Sequence, residues 1–140
     1  QVSVIEVGGR TGATCIPEII SMYYGFDFYK KILESAMGDR PKFPEIKKKR
    51  PCMARLLMSP KDGVITSVDE KKIKMLQEKG VLMTLDFPEG HTVEKMENGT
   101  NRLGHLVAEA KNTEEFDRLL QEAYRAIFVD GVSLEELWRE

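Results

Sequence analysis

An eight-residue stretch near the start of the sequence, residues 5–12, combines one acid, one guanidinium and three glycines. In an extended strand, residues two apart lie on the same face, so Glu6, Gly8 and Arg10 would share one face. A face with a carboxylate, a bare backbone and a guanidinium suits a metal ion together with a phosphorylated or carboxylate substrate. A strand that ends in a glycine-rich turn with a surface ion pair explains the same residues, and the spacing alone leaves both interpretations open.

The bulk composition is that of an ordinary globular chain. Its 140 residues are enough for one domain with a hydrophobic core. The net charge of −2 creates no field that would attract nucleic acid or a membrane surface. Cys15 and Cys52 have neither the spacing of a metal site nor that of a disulfide framework. We therefore expect a cytoplasmic protein with no nucleic-acid partner and no membrane contact.

The first part of the chain reads as a strand followed by two helices. An apolar run predicts a buried strand over 2–8, and because nothing precedes it that could pair with it, we expect the chain to be part of something longer. Helical spacing predicts a first helix over 17–25 and a second one between Asp27, a suitable N-cap, and Gly38. The lysine- and proline-containing stretch 39–50 is the expected linker.

The second part predicts antiparallel strands. Alternating residues around the turn signal Pro60–Gly63 predict a hairpin over 52–68, and Asn98-Gly99 predicts a second hairpin turn. Ser67 with Glu70 fits a capping box for a short helix between them.

Two helices close the chain. Asn112 or Thr113 starts the better one, whose apolar face is expected to extend to Ile127, and Ser133 with Glu136 opens a last short helix. This order of elements is an α+β pattern.

Several of these segments resemble a known family. Val4–Arg10, Pro17–Ile20 and Gly25–Phe28 resemble the end of an ATP-grasp catalytic domain, whose members include biotin carboxylase, carbamoyl-phosphate synthase and the L-amino-acid ligases. Ser59–Val64 and Arg102–Val107 resemble the small C-terminal subdomain of these enzymes. The resemblance implies an α+β fold: the last strand and helices of an ATP-grasp domain, followed by a small antiparallel sheet packed with helices.

The resemblance also implies a division of the chain. Residues 1–40 would be the end of the ATP-grasp catalytic domain, and residues 41–140 would be the C-terminal subdomain.

Roles for individual residues follow from the resemblance. Glu6 would be a ligand of the Mg²⁺ that bridges the ATP phosphates, whereas Gly8 stands where many members have a second, Asn ligand. Arg10 would be catalytic and bind the substrate carboxylate or acyl-phosphate. Gly12 and Ala13 would line the carboxylate-binding pocket.

The implied function is that of a C-terminal fragment of an ATP-dependent carboxylate–amine ligase with an acyl-phosphate mechanism. Its cofactors would be Mg²⁺ and ATP in the full-length enzyme. The lysines and glycine-rich loop that hold ATP in this superfamily are absent, so we expect no tight nucleotide binding and no turnover by the chain alone.

Other interpretations remain open. A biotin carboxylase-like fragment ranks lower because Ala13, Thr14 and Cys15 provide no acid to act as a bicarbonate base. A non-catalytic domain for assembly or small-ligand binding is the alternative from another class, and a homo-oligomer is left open. Trp138 is expected to dock on a missing part of the enzyme or on a second subunit.

Overall fold

The fold consists of helices packed around two small antiparallel sheets. The computed structural model describes residue 3 and residues 11–45 and 49–139. Within them, the helices are α1 (Ile16–Tyr24), α2 (Phe28–Ala36), α3 (Glu70–Glu78), α4 (Thr113–Tyr124) and α5 (Leu134–Leu137). The strands are β1 (Cys52–Met58), β2 (Gly63–Val68), β3 (Leu82–Leu85), β4 (Thr92–Val93), β5 (Arg102–Glu109), β6 (Ile127–Val129) and β7 (Val132–Ser133). The predicted α+β class is confirmed, and the strand predicted over 2–8 lies outside the described residues.

Strand β5 is the middle strand of the first sheet, which has the order β1-β5-β3. Both of its neighbours run antiparallel to it, and Gly104 lies opposite Leu57 on one side and Leu85 on the other. Leu103, Leu106 and Val107 are each at most 1% exposed. A run of apolar residues buried on both faces is typical of a strand covered on both sides.

Helices cover both faces of this sheet. Leu106 and Ala108 belong to the main core cluster together with residues of α4, whereas the buried Val107 does not. Successive strand residues point to opposite faces, so Val107 faces the other side of the sheet. Helix α1 packs against β1 and β5 but contributes no residue to the core cluster, and the Cys52 thiol lies 3.6 Å from the Ile19 carbonyl oxygen. We infer that α1 covers the face opposite α4.

The second sheet has the order β4-β2-β6-β7. Its strands are short, and β2 joins them by pairing with β4 at one end and with β6 at the other. Ile65 lies opposite Val129, and both side chains are fully buried. The two sheets therefore share one hydrophobic core.

The predicted hairpin over 52–68 is wrong, because β1 and β2 belong to different sheets. The turn between them is held by its own polar groups and by a distant segment. The Asp62 carboxylate accepts a hydrogen bond of 2.7 Å from the Lys95 backbone N–H, and the Ser59 carbonyl accepts one of 2.9 Å from Met96. These bonds hold the turn that connects β1 of the first sheet to β2 of the second sheet to the segment around Lys95.

The second predicted hairpin, around Asn98-Gly99, is also wrong. Thr92–Val93 pairs with β2 instead of β5. The Asn98 carboxamide accepts from the Thr100 N–H at 2.8 Å, and the Asn101 carboxamide accepts from the Asn98 N–H at 3.2 Å. These side-chain bonds to nearby backbone groups form a short 3-10 turn that replaces a hairpin.

Most of the predicted helix caps are confirmed. The side chains of Asp27, Asn112 and Ser133 accept hydrogen bonds from the first turns of α2, α4 and α5. For α3 the cap is Asp69, not Ser67, and its bond from the Lys72 N–H lowers the pKa of the Asp69 carboxyl.

The apolar face of α4 is confirmed as far as Tyr124. Phe116, Leu120, Ala123 and Tyr124 are buried. Ile127, which was expected to continue this face, lies in β6 instead.

The predicted junction between α1 and α2 is a tight elbow. Gly25 adopts a φ of 72°, a left-handed conformation that glycine accepts without strain. The Ser21 hydroxyl donates to the Pro17 carbonyl at 2.8 Å and accepts from the Phe28 N–H at 3.0 Å. A second bond crosses the elbow, because the Tyr29 hydroxyl donates to the Glu18 carboxylate at 2.5 Å.

Replacement of Gly104 by alanine tests the close approach of β3 and β5. A Cβ at this position would overlap the Thr84 carbonyl oxygen and lie 2.9 Å from the Leu85 Cα, and neither backbone atom can move without disturbing the sheet. We expect Gly104→Ala to lower the free energy of unfolding by about 3 kcal/mol, measured by urea denaturation.

Gly99→Ala is the matched control. Its Cβ would meet only Leu56 Cδ1, at an ordinary 3.5 Å, and we expect a change within about 0.5 kcal/mol. Equal stability of the two variants would contradict the packing of β3 on β5.

The bond across the elbow predicts a pH dependence. It raises the pKa of Tyr29 to about 12 from the ordinary tyrosine value of 10.0. Because the folded-state pKa lies above the unfolded value, the stabilisation is present below pH 10.0 and is lost as the pH rises through about 12. We expect the denaturation midpoint of Tyr29→Phe to fall less over this range than that of the unsubstituted chain.

Tyr23→Phe is the control, since the Tyr23 hydroxyl makes no hydrogen bond within the described residues. Tyrosinate absorbance of the folded chain gives an independent measurement. The loss of one late-titrating tyrosine in Tyr29→Phe, and its retention in Tyr23→Phe, is the expected result. Indistinguishable titrations would refute the bond.

Candidate functional site

The structure places part of the predicted site in an exposed turn. Glu6 and Arg10, the predicted metal ligand and catalytic residue, lie outside the described residues. Gly12 and Ala13, predicted to bind substrate, are exposed and immediately precede α1. Their exposure leaves the turn accessible to a ligand.

The end of this turn is conformationally strained. Thr14 and Cys15 adopt φ angles of 62° and 63°, in the left-handed region that residues with a side chain rarely occupy. Each such residue costs about 1–3 kcal/mol, so surrounding contacts must hold the conformation in place. Two contacts do so: the Cys15 side chain is buried, and its carbonyl accepts a hydrogen bond of 2.9 Å from the Ile19 N–H. The turn is therefore fixed to the start of α1.

Cys15 is an anchor of this turn and is poorly suited to be a nucleophile. Burial is the main cause that raises the pKa of its thiol, and the nearby Glu18 carboxylate raises it further. Arg102 acts in the opposite direction, but Asp86 offsets it because the two form an ion pair at 2.6 Å. A thiol kept protonated is a weak nucleophile.

The two histidines have structural surroundings. His105 lies in β5 and its ring forms a hydrogen bond of 2.8 Å with the hydroxyl of Thr84 on β3. His91 stacks on Phe87 with 3.8 Å between ring centroids. Both contacts account for the residue types without a catalytic role.

A cleft next to the strained turn was not foreseen from the sequence. It has a volume of about 650 Å³ and lies beside β1, an edge strand of the first sheet. The described residues that line it are Thr14, Ala54, Arg55, Leu56, Met58, Met96, Leu120, Gln121, Tyr124 and Trp138. They come from five separate parts of the chain, which is why no local pattern indicated the cleft.

Two aromatic rings and a guanidinium are the prominent groups of the cleft. Tyr124 and Trp138 stack with 6.4 Å between centroids and 16° between ring planes. The Trp138 indole N–H donates to the Met58 carbonyl oxygen at 3.1 Å. Burial raises the pKa of Tyr124, and Arg55 partly opposes that effect. Trp138, expected to dock on another part of the enzyme, is thus held by its own chain, and its docking stays a prediction.

A metal site cannot be assembled from the described residues alone. No group of three or more His, Cys, Asp or Glu residues that could hold a metal ion occurs among them. Across residues 11–45 and 49–139, none of the helices has the length and apolar character needed to cross a membrane.

An apolar surface lies on α2 and the segment after it. Helix α2 has no buried residue, and Leu33, Met37 and Phe43 are 64%, 82% and 59% exposed. Leu33 and Met37 are four residues apart and so lie on one side of the helix end, whereas the Phe43 ring packs on the Phe26 ring with 5.7 Å between centroids. Neighbouring exposed apolar residues such as Leu33 and Met37 suit contact with another part of a protein.

Comparison with solved structures finds the same fold in part of a known enzyme. The chain is similar to phosphoribosylglycinamide synthetase from Anaerococcus prevotii, with a TM-score of 0.66 and 20% sequence identity. The similarity covers 86% of this chain and 31% of that chain, so the sequence spans about a third of the length of that enzyme. No curated protein matches the chain significantly.

The sequence also matches the model of a protein family. The model of the family described as L-amino acid ligase C-terminal domain 2 matches residues 55–130, which is more than half of the chain. Together with the fold, this match confirms the resemblance to the C-terminal part of an ATP-grasp enzyme. The chain belongs to the L-amino acid ligase C-terminal domain 2 family.

Proposed function

We propose that this chain is the C-terminal part of an ATP-dependent carboxylate–amine ligase. The family match is the observation that carries the proposal, since the domain takes its name from ligases of amino acids. The exposed apolar surface of α2, Leu33 and Met37 above all, supports it because such a surface suits packing against further lobes. A cytoplasmic location is part of the same proposal.

In the proposed enzyme, Arg10 and the turn that follows it bind the substrate carboxylate. A guanidinium matches the two oxygens of a carboxylate and also stabilises the charge that develops on an acyl-phosphate. Gly12 and Ala13 have little or no side chain, so their exposed backbone can approach the substrate closely. The contacts of Cys15 with α1 hold the strained backbone of Thr14 and Cys15 in place. The turn therefore has its conformation before any ligand arrives.

Glu6 provides a carboxylate oxygen, the kind of ligand that Mg²⁺ prefers. One carboxylate is not a complete site, and the described residues contain no cluster to complete it. Mg-ATP, when bound in the proposed enzyme, supplies the phosphoryl group that activates the carboxylate. The remaining ligands would come from other lobes of the protein.

Carboxylation of a substrate with bicarbonate is less well supported. The first acid after Arg10 is Glu18. One of its oxygens accepts a hydrogen bond from Tyr29 and the other is buried, so Glu18 is poorly placed to act as a base.

The chain alone is expected to bind ATP weakly. Titration calorimetry of the 140-residue chain with ATP and Mg²⁺ should show no micromolar binding, because the lysines and glycine-rich loop of the family's nucleotide site are not in this sequence. Micromolar binding would refute the assignment of the nucleotide site to another lobe.

Two substitutions in the longer ligase test the site. We expect Glu6→Gln to lower turnover by about 100-fold, because it removes a negatively charged oxygen from the metal. Arg10→Ala should lower kcat by about 10²–10³ with a small effect on nucleotide affinity, because the guanidinium stabilises charge that develops during the reaction. Steady-state kinetics with nucleotide and with the carboxylate substrate separate these effects.

Glu114→Gln and Arg118→Ala are the matched controls, since both residues are exposed on α4. Unchanged turnover in both site variants would reject the roles of Glu6 and Arg10.

The reading frame upstream of the chain separates this proposal from a non-catalytic assembly or binding domain. A lobe with the lysines and glycines of an ATP site supports the ligase, whereas an unrelated domain supports the alternative.

A further inference from the structure

The cleft beside β1 carries an inference that is independent of the ligase chemistry. It combines an apolar wall, formed mainly by Leu56, Met58 and Leu120, with a small number of polar groups. Its volume of about 650 Å³ falls in the range typical of small-molecule sites.

The Tyr124 hydroxyl is a polar group without a partner at the cleft. Tyr124 is only 7% exposed, yet its hydroxyl makes no hydrogen bond to any residue in the described part of the chain. The hydroxyl oxygen is not among the buried unpaired polar atoms of the described residues, so it is open to the cleft. Since the side chain lines the cleft, a bound ligand can be that partner.

The charge of the cleft favours an anion. Arg55 lies in the lining and is exposed, and no Asp or Glu occurs among the described lining residues. A guanidinium next to an unpartnered phenol suits a carboxylate, which can accept a hydrogen bond from each.

The remainder of the cleft favours an aromatic group. The Trp138 ring is fixed by its hydrogen bond to Met58 and by its stacking on Tyr124, but it remains 38% exposed. A rigid, partly exposed indole provides a surface on which another ring can stack. The exposed Met96 side chain adds an adaptable apolar surface to the cleft.

We propose that this cleft binds a small aromatic carboxylate, with its carboxylate between Arg55 and the Tyr124 hydroxyl and its ring against Trp138 and the methionines. The occupant is a free small molecule of about the size of an aromatic amino acid. The site does not depend on Glu6 or Arg10, so the failure of the proposed ligase chemistry would leave it standing.

Trp138 is the only tryptophan of the chain, and its fluorescence therefore reports on this cleft alone. The probe is 3-phenylpropionate, which has both the ring and the carboxylate. We expect a saturable change in emission on titration into the 140-residue chain. Acetate, which lacks the ring, and 3-phenylpropionamide, which lacks the charge, should each bind at least about tenfold more weakly.

Two variants identify the polar contacts. Arg55→Met should weaken binding of 3-phenylpropionate about tenfold, and Tyr124→Phe about fivefold, while the affinity for 3-phenylpropionamide should change little in Arg55→Met. Arg118→Met, which changes an arginine outside the cleft lining, is the control and should bind like the unsubstituted chain. Because Arg55 is exposed, its substitution remains informative even if Tyr124→Phe does not fold.

Three results would overturn the proposal. They are the absence of a saturable signal, equal affinities for the carboxylate and the amide, and binding that survives Arg55→Met unchanged. Chemical-shift changes confined to the lining residues on titration with 3-phenylpropionate would support the proposal by a second method.

Discussion

The pairing of β5 with a strand on each side is the constraint on which the rest of the described structure depends. Gly104 allows β3 to approach so closely that a methyl group would overlap its backbone. The buried side chains of β5 lie on both faces of the sheet. Leu106 belongs to the core that α4 covers, and Val107 lies on the opposite face, which we assign to α1. Because α1 rests on this sheet, the strained turn before it has a rigid support.

Local signals in the sequence predicted local structure well. Asp27, Asn112 and Ser133 cap helices as expected, because a cap needs only a side chain and the backbone N–H groups two or three residues further on. The two hairpins failed because strand pairing depends on distant partners. Ile65 pairs with Val129, and the Val64 N–H binds the Asp130 carboxylate at 3.0 Å, which no nearby residue indicates.

In the candidate site, too, the sequence indicated features formed by consecutive residues and missed those formed by distant ones. The glycine-rich stretch was noticed because its residues are consecutive. In the structure Gly12 and Ala13 are exposed ahead of a helix, and their role in substrate binding stays a prediction. The cleft escaped notice because Arg55, Tyr124 and Trp138 come from β1, the end of α4 and the residue after α5. Only the packing of α4 against β1 and of α5 against α4 brings a guanidinium and two aromatic rings together.

In the proposed ligase this chain is one part of a shared active site: its turn is held rigid, and the other components of the site come from other lobes. The most direct test is a crystal structure of the longer ligase with Mg²⁺ and a non-hydrolysable ATP analogue. We expect a Glu6 carboxylate oxygen about 2.1 Å from Mg²⁺, with the Arg10 guanidinium in the same cleft and facing the terminal phosphate. Side chains of Glu6 and Arg10 that point away from each other, or a metal held without Glu6, would contradict the account.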